Sequence, residues 1–254
     1  MPPTWERDVM ATPRISTRSI TWSVITKVKP RKSSEFQSVL LAIAGHDLRQ
    51  PLQVIQNVHD ILDRGLRTAS ELRLLRYGQS AVERLRDQLD ELLAALRLCE
   101  SGKRVKLTSV RVEPLLQQAT YANKVSALTK GVSVRTVPTS ATIESDALLL
   151  GTVLRNLVSN AIKYTQPGGR VLVGCRHTDR RIRIDVYDTG IGLTEDQMPR
   201  MFEAFTRFDP ARCDGLGIGL FIVRQAIGIL EHRIDVASTP CRGSRFSIFA
   251  SRAE

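Results

Sequence analysis

The chain has 254 residues, 42% of them hydrophobic, which is room for two ordinary domains with real cores and excludes wholesale disorder. A net charge of +11 and a pI near 10.0 raise nucleic acid or an anionic membrane as partners, but residues 1–34 alone hold seven Lys/Arg against two acids, and the rest shows no aromatic-interleaved basic stripe, which argues against nucleic acid. No apolar run approaches the roughly 18 residues that span a bilayer, and Cys99, Cys175, Cys213 and Cys241 show neither CxxC nor metal spacing, a pattern expected of reduced thiols in a cytoplasmic protein.

In chain order, residues 1–34 form a basic N-terminal segment with three prolines before residue 14, expected to be extended or flexible. Residues 20–28 have the composition of a short strand, with no evident pairing partner. From 35 to 99 the period turns helical. Leu48, Leu52, Ile55, His59, Leu62 and Leu66 form one seam, and Leu75, Val82, Leu85, Leu89, Leu92 and Leu96 a second, with a turn between them near Gly65. Two such helices cannot bury both seams alone, so pairing with a second copy into a four-helix bundle is the economical solution. Pro51 should bend the first helix beside His46, because it cannot donate to the carbonyl of Asp47.

Residues 100–104 read as a linker. In 105–254 a helix is expected from near Pro114 to near Gly131, strands at 132–137 and 141–144, and a long helix at 146–164. Strands at 170–176 and 181–188 follow, the second with Ile182, Ile184 and Val186 on one face, then a helix from near Leu216 and strands near 233–237 and 244–250. The expected fold is α+β: an N-terminal antiparallel helical hairpin forming a dimeric four-helix bundle, then an α/β sandwich whose mixed sheet carries helices on one face.

Asn156, Asn160 and Lys163 are spaced i, i+4, i+7 and share a helix face, opposite Val153, Leu154, Leu157, Val158, Ala161 and Ile162. Carboxamide oxygens suit Mg2+, which keeps waters and bridges phosphates, and a lysine beside them meets phosphate charge; a solvated helix surface has the same look. Asp188-Thr189-Gly190-Ile191-Gly192 ends a strand with a carboxylate that can accept from a purine amino group while the backbone passes close by, or is a plain Asp-x-Gly turn. Gly215, Gly217 and Gly219 lead into an apolar helix through Leu220 and offer N–H groups and a positive dipole end to phosphates. This is neither the dinucleotide fingerprint nor a Walker loop. Residues 206–214 between these boxes look like a short lid, with Arg207 placed to reach a terminal phosphate or simply a surface arginine. His46 differs from His59, His177 and His232 in having Asp47 beside it. The acid can hold one ring nitrogen protonated while the other attacks a γ-phosphate and forms a P–N bond; Asp47 and Gln50 bracket that position.

Together these islands resemble the sensor histidine kinases of two-component signalling. Residues 44–52 (Ala-Gly-His-Asp-Leu-Arg-Gln-Pro-Leu) look like the phosphoacceptor box and 156–165 like the N box. Residues 188–192, 202–208 and 215–220 look like the first glycine box, the F box and the second glycine box. The resemblance covers about residues 35–254. It implies a dimerisation and histidine-phosphotransfer hairpin over 35–99 and a Bergerat-type ATP-binding domain over 105–254. It also implies a protein-histidine kinase that uses ATP and Mg2+, autophosphorylates on His46 and hands the phosphoryl group to an aspartate of a separate response regulator. On that resemblance Asp47 is the activating acid, Asn160 the main Mg2+ ligand and Asn156 its assistant. Lys163 and Arg207 contact phosphates, Tyr164 lies by the adenine, Asp188 binds its amino group, and Gly190, Gly192, Gly215, Gly217, Gly219 and Leu220 shape the lid and phosphate wall.

Position 50 is Gln where the commonest pattern has Thr or Asn, which leaves phosphatase activity open. No sensor module or receiver domain is recognisable, so transfer to a separate protein is expected. An ATPase of the gyrase, Hsp90 and MutL type shares the nucleotide boxes, but residues 152–156 lack its catalytic glutamate, and it has no histidine hairpin. A degenerate kinase acting as a dimeric scaffold is the non-enzymatic alternative, opposed by the intact Asn160, Asp188 and glycine boxes.

Overall fold

The computed structural model describes residues 20–24, 49–62, 68–78, 81–82, 85, 105, 107–178, 181–208 and 217–253. His46, Asp47, Gly215 and the 100–104 linker lie outside the described residues, and Gln50 is described in its backbone alone. Strand β1 is Ile20–Val24 and helix α1 is Arg49–Leu62; residues 69–78 form helix α2. The bend expected at Pro51 falls at the margin of what is described. The two helices touch where Val58 lies 3.0 Å from the place a Cβ on Gly78 would occupy. Val58 and Ala81 are buried, whereas Leu72, Leu75, Tyr77 and Val82 are exposed on the single chain.

The second part runs β2 (Thr108–Arg111), α3 (Val112–Ala122), α4 (Lys124–Lys130), β3 (Ser133–Thr136), β4 (Thr142–Ser145), α5 (Ala147–Tyr164), β5 (Arg170–Thr178), β6 (Arg181–Asp188), α6 (Gly219–Ile229), β7 (Arg233–Thr239) and β8 (Gly243–Ser251). The main sheet has six strands in the order β1-β7-β8-β6-β5-β3, and β2 and β4 form a separate pair. Only β3 and β5 run parallel; the other neighbours are antiparallel, so the sheet is mixed. Alternation in β6 sends Ile182, Ile184 and Val186 into the core while Arg181, Arg183 and Asp185 face away. Against that face α5 buries Leu150, Val153, Leu154, Leu157, Val158, Ala161 and Ile162, and α6 buries Ile222, Val223, Ala226 and Ile227. This is the expected α+β fold with a mixed sheet packed against helices.

Two expectations are corrected, and a third is completed. The single helix expected from Pro114 to Gly131 is two helices, because Asn123 leaves helical geometry (φ −101°, ψ 6°) and its side-chain amide donates to the carbonyl of Ala119 at 2.9 Å. Gly131 then ends α4 in the left-handed region, at φ 69°. The helix expected near Leu216 begins at Gly219, since Gly217 at φ 71° cannot join it. The segment read as a short strand at 20–28, without an evident partner in sequence, is strand β1 over Ile20–Val24, and its partner is β7, with Ile20 opposite Ser238 and Val24 opposite Ile234.

Candidate functional site

A cleft of about 840 Å³, open mouth included, lies between the C-terminal half of α5, the end of β6 and the start of α6. Helix α5 is fixed at both ends. Asp146 Oδ1 accepts from the N–H of Leu149 at 2.9 Å at its start. At its end Lys130 Nζ donates to the carbonyls of Ile162 (3.0 Å) and Lys163, and Thr165 Oγ1 donates to the carbonyl of Ala161 at 2.6 Å. A cation on the last carbonyls opposes the negative end of the helix dipole. Thus anchored, the last turns present Asn160, Lys163 and Tyr164 to the cleft, and Lys163 Nζ sits 5.4 Å from the centre of the Tyr164 ring.

Asp188, the last residue of β6, is 5% exposed. Its Oδ1 accepts from the N–H of Gly190 (2.8 Å) and of Ser244 (3.2 Å). Both donors are thereby committed to one oxygen, which leaves Oδ2 for the cleft that Asp188 lines. Burial pushes the carboxyl up to about 6 against the opposing pull of those two N–H groups. The loop after it is pinned to α5 by Ile191 N–H donating to the Tyr164 carbonyl at 3.1 Å. It needs glycine: Gly192 has φ 67°, and a Cβ there would overlap the Thr239 carbonyl. On the far wall a Cβ on Gly219 would stand 2.9 Å from Asn156 Oδ1 and 3.6 Å from Asn160 Nδ2. The start of α6 therefore sits directly on the two carboxamides.

Eight of the residues named from sequence line the cleft: Asn160, Lys163, Tyr164, Asp188, Gly192, Gly217, Gly219 and Leu220. Asn156 stands one turn behind Asn160, its amide nitrogen donating to the Thr152 carbonyl at 2.9 Å, so its Oδ1 is turned to Gly219. Gly190 packs on Tyr164 and Asp188 without lining the cleft. Arg207 lies between two lining residues, Thr206 and Phe208, its Cγ 3.2 Å from where a Cβ on Gly217 would be. Phe205 donates its N–H to the Gly217 carbonyl at 3.0 Å from a left-handed backbone (φ 64°), which ties the F box to the second glycine box.

Sequence reasoning missed the apolar lining, Ile191, Leu193, Met201 and Phe246, and the polar Gln197 and Ser244. Met201 and Phe246 read in sequence as ordinary core residues. Ser244 reaches Asp188 only because β6 and β8 pair antiparallel with Tyr187 opposite Arg245. It also missed Lys130, whose position before a glycine marks a helix end but not which other helix it caps.

Among the described residues no group of three or more His, Cys, Asp or Glu could hold a metal by itself. The donors at hand are two carboxamide oxygens and a ligand's own phosphates. That set fits Mg2+, which is held by few protein ligands, several waters and phosphate oxygens.

Residues 145–254 match the family model described as histidine kinase-, DNA gyrase B-, and HSP90-like ATPase. The sensor-like histidine kinase SenX3 of Mycobacterium tuberculosis (strain H37Rv) is 33% identical over 216 residues, which cover 82% of this chain and 52% of SenX3. The chain therefore spans about half the length of that curated relative. The structure of full-length ShkA in complex with AMPPNP superposes with a TM-score of 0.61 at 27% identity, over 89% of this chain and 46% of ShkA. Histidine kinase ThkA, solved in complex with the response regulator protein TrrA, gives a TM-score of 0.64 at 20% identity over 90% of this chain and 68% of that one. Among the described residues no helix is long and apolar enough to cross a membrane.

Proposed function

The chain belongs to the sensor histidine kinases, and from that premise we propose that it binds ATP in the α5–β6–α6 cleft, phosphorylates itself on His46 and passes the phosphoryl group to an aspartate of a separate response regulator. The observation that carries this reading is Asp188, a buried carboxylate that lines the cleft and has one oxygen occupied by two backbone donors, which leaves the second oxygen to accept from a ligand. Its Oδ2 accepts from the adenine amino group, Tyr164 and Leu193 flank the base, and Lys163 and Arg207 meet phosphates. The N–H groups around Gly217 and Gly219 receive phosphate oxygens at the positive end of α6. Asn160, with Asn156 behind it, holds Mg2+, which supplies neutralisation of phosphate charge when bound.

At the other end a neutral ring nitrogen of His46 attacks the γ-phosphorus as the bond to the β-phosphate oxygen breaks and ADP leaves. Asp47 steadies the proton on the second ring nitrogen and receives it as the positive charge is relieved. Gln50 follows His46 by four residues in sequence, a spacing from which it can orient water for the dephosphorylation of His46. The domain plan is residues 1–34 as a basic segment, 35–99 as the hairpin, 100–104 as the hinge and 105–254 as the ATP-binding domain. The exposed Leu72, Leu75, Tyr77 and Val82 favour burial of the hairpin against a second copy in a four-helix bundle. The complex of ThkA with TrrA favours a response regulator as the receiver of the phosphoryl group.

The test is incubation of the purified chain with γ-labelled ATP and Mg2+, wild type beside His46→Gln. Acid-labile, alkali-stable label in the wild type and none in the variant is the expected result. Equal label in both moves the acceptor elsewhere, and no label in either despite ATP binding overturns the kinase reading.

A further inference from the structure

Strand β7 is the natural edge of the sheet in the ATP-binding part of the chain, and seven residues of unpaired backbone there would invite a foreign strand. That edge is occupied from outside the domain, by Ile20–Val24, which precedes the helical hairpin in sequence. The five residues pair antiparallel in unbroken register, from Ile20 opposite Ser238 to Val24 opposite Ile234. The segment Ile-Thr-Trp-Ser-Val is itself β-prone, three of its five residues being β-branched and one aromatic, and β7 is the strand it pairs with. This is strand addition, the mode by which extended segments dock on sheet edges through main-chain bonds.

The strand meets the edge at the residue that holds the pocket wall. Ser238, 2% exposed, accepts from the N–H of Leu193 at 2.8 Å, donates to the Gly243 carbonyl at 3.1 Å and lies 2.9 Å from Ser244 Oγ. Leu193 lines the cleft, and the N–H of Ser244 is one of the two donors to Asp188. The same hairpin grips the first glycine loop where the N–H of Cys241 donates to the Ile191 carbonyl at 2.7 Å. From the edge pair at Ile20 to the acid at the base of the cleft the route is thus Ser238, Ser244, Asp188: Ile20 stands opposite Ser238 in register, and the two links beyond it are hydrogen bonds between buried groups. A docked edge strand holds the end of β7 straight. An undocked one frees that end to fray, as terminal edge residues do, and Ser238 with it.

We propose that the β7 edge is a strand-acceptor site whose occupant is this chain's own Ile20–Val24, and that its occupancy tightens nucleotide binding by fixing Ser238 against the Leu193 loop and Ser244. The second half rests on the reading of the cleft as a nucleotide site. It makes the segment before the histidine hairpin a control element of the ATP-binding domain: whatever pulls Ile20–Val24 away lowers nucleotide affinity.

The experiment uses the full chain with Thr21→Pro and Trp22→Pro together. In an antiparallel edge strand alternate residues aim their N–H at the neighbour, so one of the two prolines removes a bond to β7 whichever way the strand faces. Hydrogen exchange over 234–238 and the Kd for ADP with Mg2+ are measured with and without a peptide of residues 18–26. The expected result is faster exchange, a Kd weakened at least about five-fold, and recovery of both on adding the peptide. In a Ser238→Ala background the two prolines should change the Kd no further. Unchanged exchange overturns the docking, and faster exchange at an unchanged Kd overturns the coupling. A wild type that binds no ADP overturns the nucleotide reading and the coupling together, while the exchange data still decide the docking.

Discussion

Asp188→Asn, made in the full chain, separates what one carboxylate costs the fold from what it contributes to binding. A carboxyl whose folded pKa exceeds its unfolded one holds its proton more tightly when folded. The stability it lends as a neutral group is complete below pH 3.8 and lost as pH rises through about 6. The interval from 3.8 to about 6, at 1.36 kcal/mol per unit, makes the ionised side chain cost the fold up to about 3 kcal/mol at pH 8. Asparagine is never ionised and can keep the two backbone donors on its single oxygen. The variant should therefore be more stable than wild type at pH 8 by about 1–3 kcal/mol and equal to it at pH 4. A gain of ~1.5 kcal/mol in a domain of this size moves Tm by roughly 3–6 °C. Nucleotide binding should change the opposite way. With its one oxygen claimed by Gly190 and Ser244, the amide has no acceptor left for an amino group and faces it with a donor, a mismatch of about 1–3 kcal/mol or a 5- to 150-fold weaker Kd. Urea melts at the two pH values and calorimetric titration with ADP read both sides. A variant less stable than wild type at pH 8, or one that gains as much at pH 4, refutes the claim that burial dominates this carboxyl. An unchanged Kd refutes its role as the base acceptor.

Other consequences can be checked alongside. Gly219→Ala puts a methyl 2.9 Å from Asn156 Oδ1, so it should cost at least ~10-fold in Mg2+-dependent nucleotide affinity while the far-ultraviolet circular dichroism stays that of the wild type. Lys130→Ala uncaps the end of α5 and should cost about 1 kcal/mol in urea denaturation, the two carbonyls it serves being left to water. His232 is buried with Nε2 3.0 Å from Ser145 Oγ, and burial holds its pKa down from 6.5 to about 4. Its neutral form therefore supports the fold above pH 6.5, and the unfolded chain takes up the proton first as pH falls. The stability gap between wild type and His232→Gln should shrink by about 3 kcal/mol from pH 7 to pH 4; a gap that stays constant, or widens, would rule this out.

The local chemistry of the site was legible from the residues because each part is short-range. Asn156, Asn160 and Lys163 share a face by helical period alone, and Ile182, Ile184 and Val186 share one by strand alternation. The long helix expected over 146–164 and the helix end expected near Gly131 fall within a residue or two of α5 (Ala147–Tyr164) and of the end of α4. Spacing did not reveal the break at Asn123, where a side-chain amide outbids the helix for a carbonyl, nor the start of α6, where the left-handed Gly217 outweighs an apolar run that reads as helix.

Only the tertiary structure decided which distant residues meet. Ser244 and Phe246 join Asp188 and Tyr164 because β8 lies antiparallel beside β6. Lys130 caps a helix that ends more than thirty residues later, and Ile20–Val24 finds its partner more than two hundred residues away on β7. Such pairings leave no periodic trace in the chain. Side-chain period is set by the backbone geometry of one element, whereas strand order and register are set by how all elements bury their apolar faces at once.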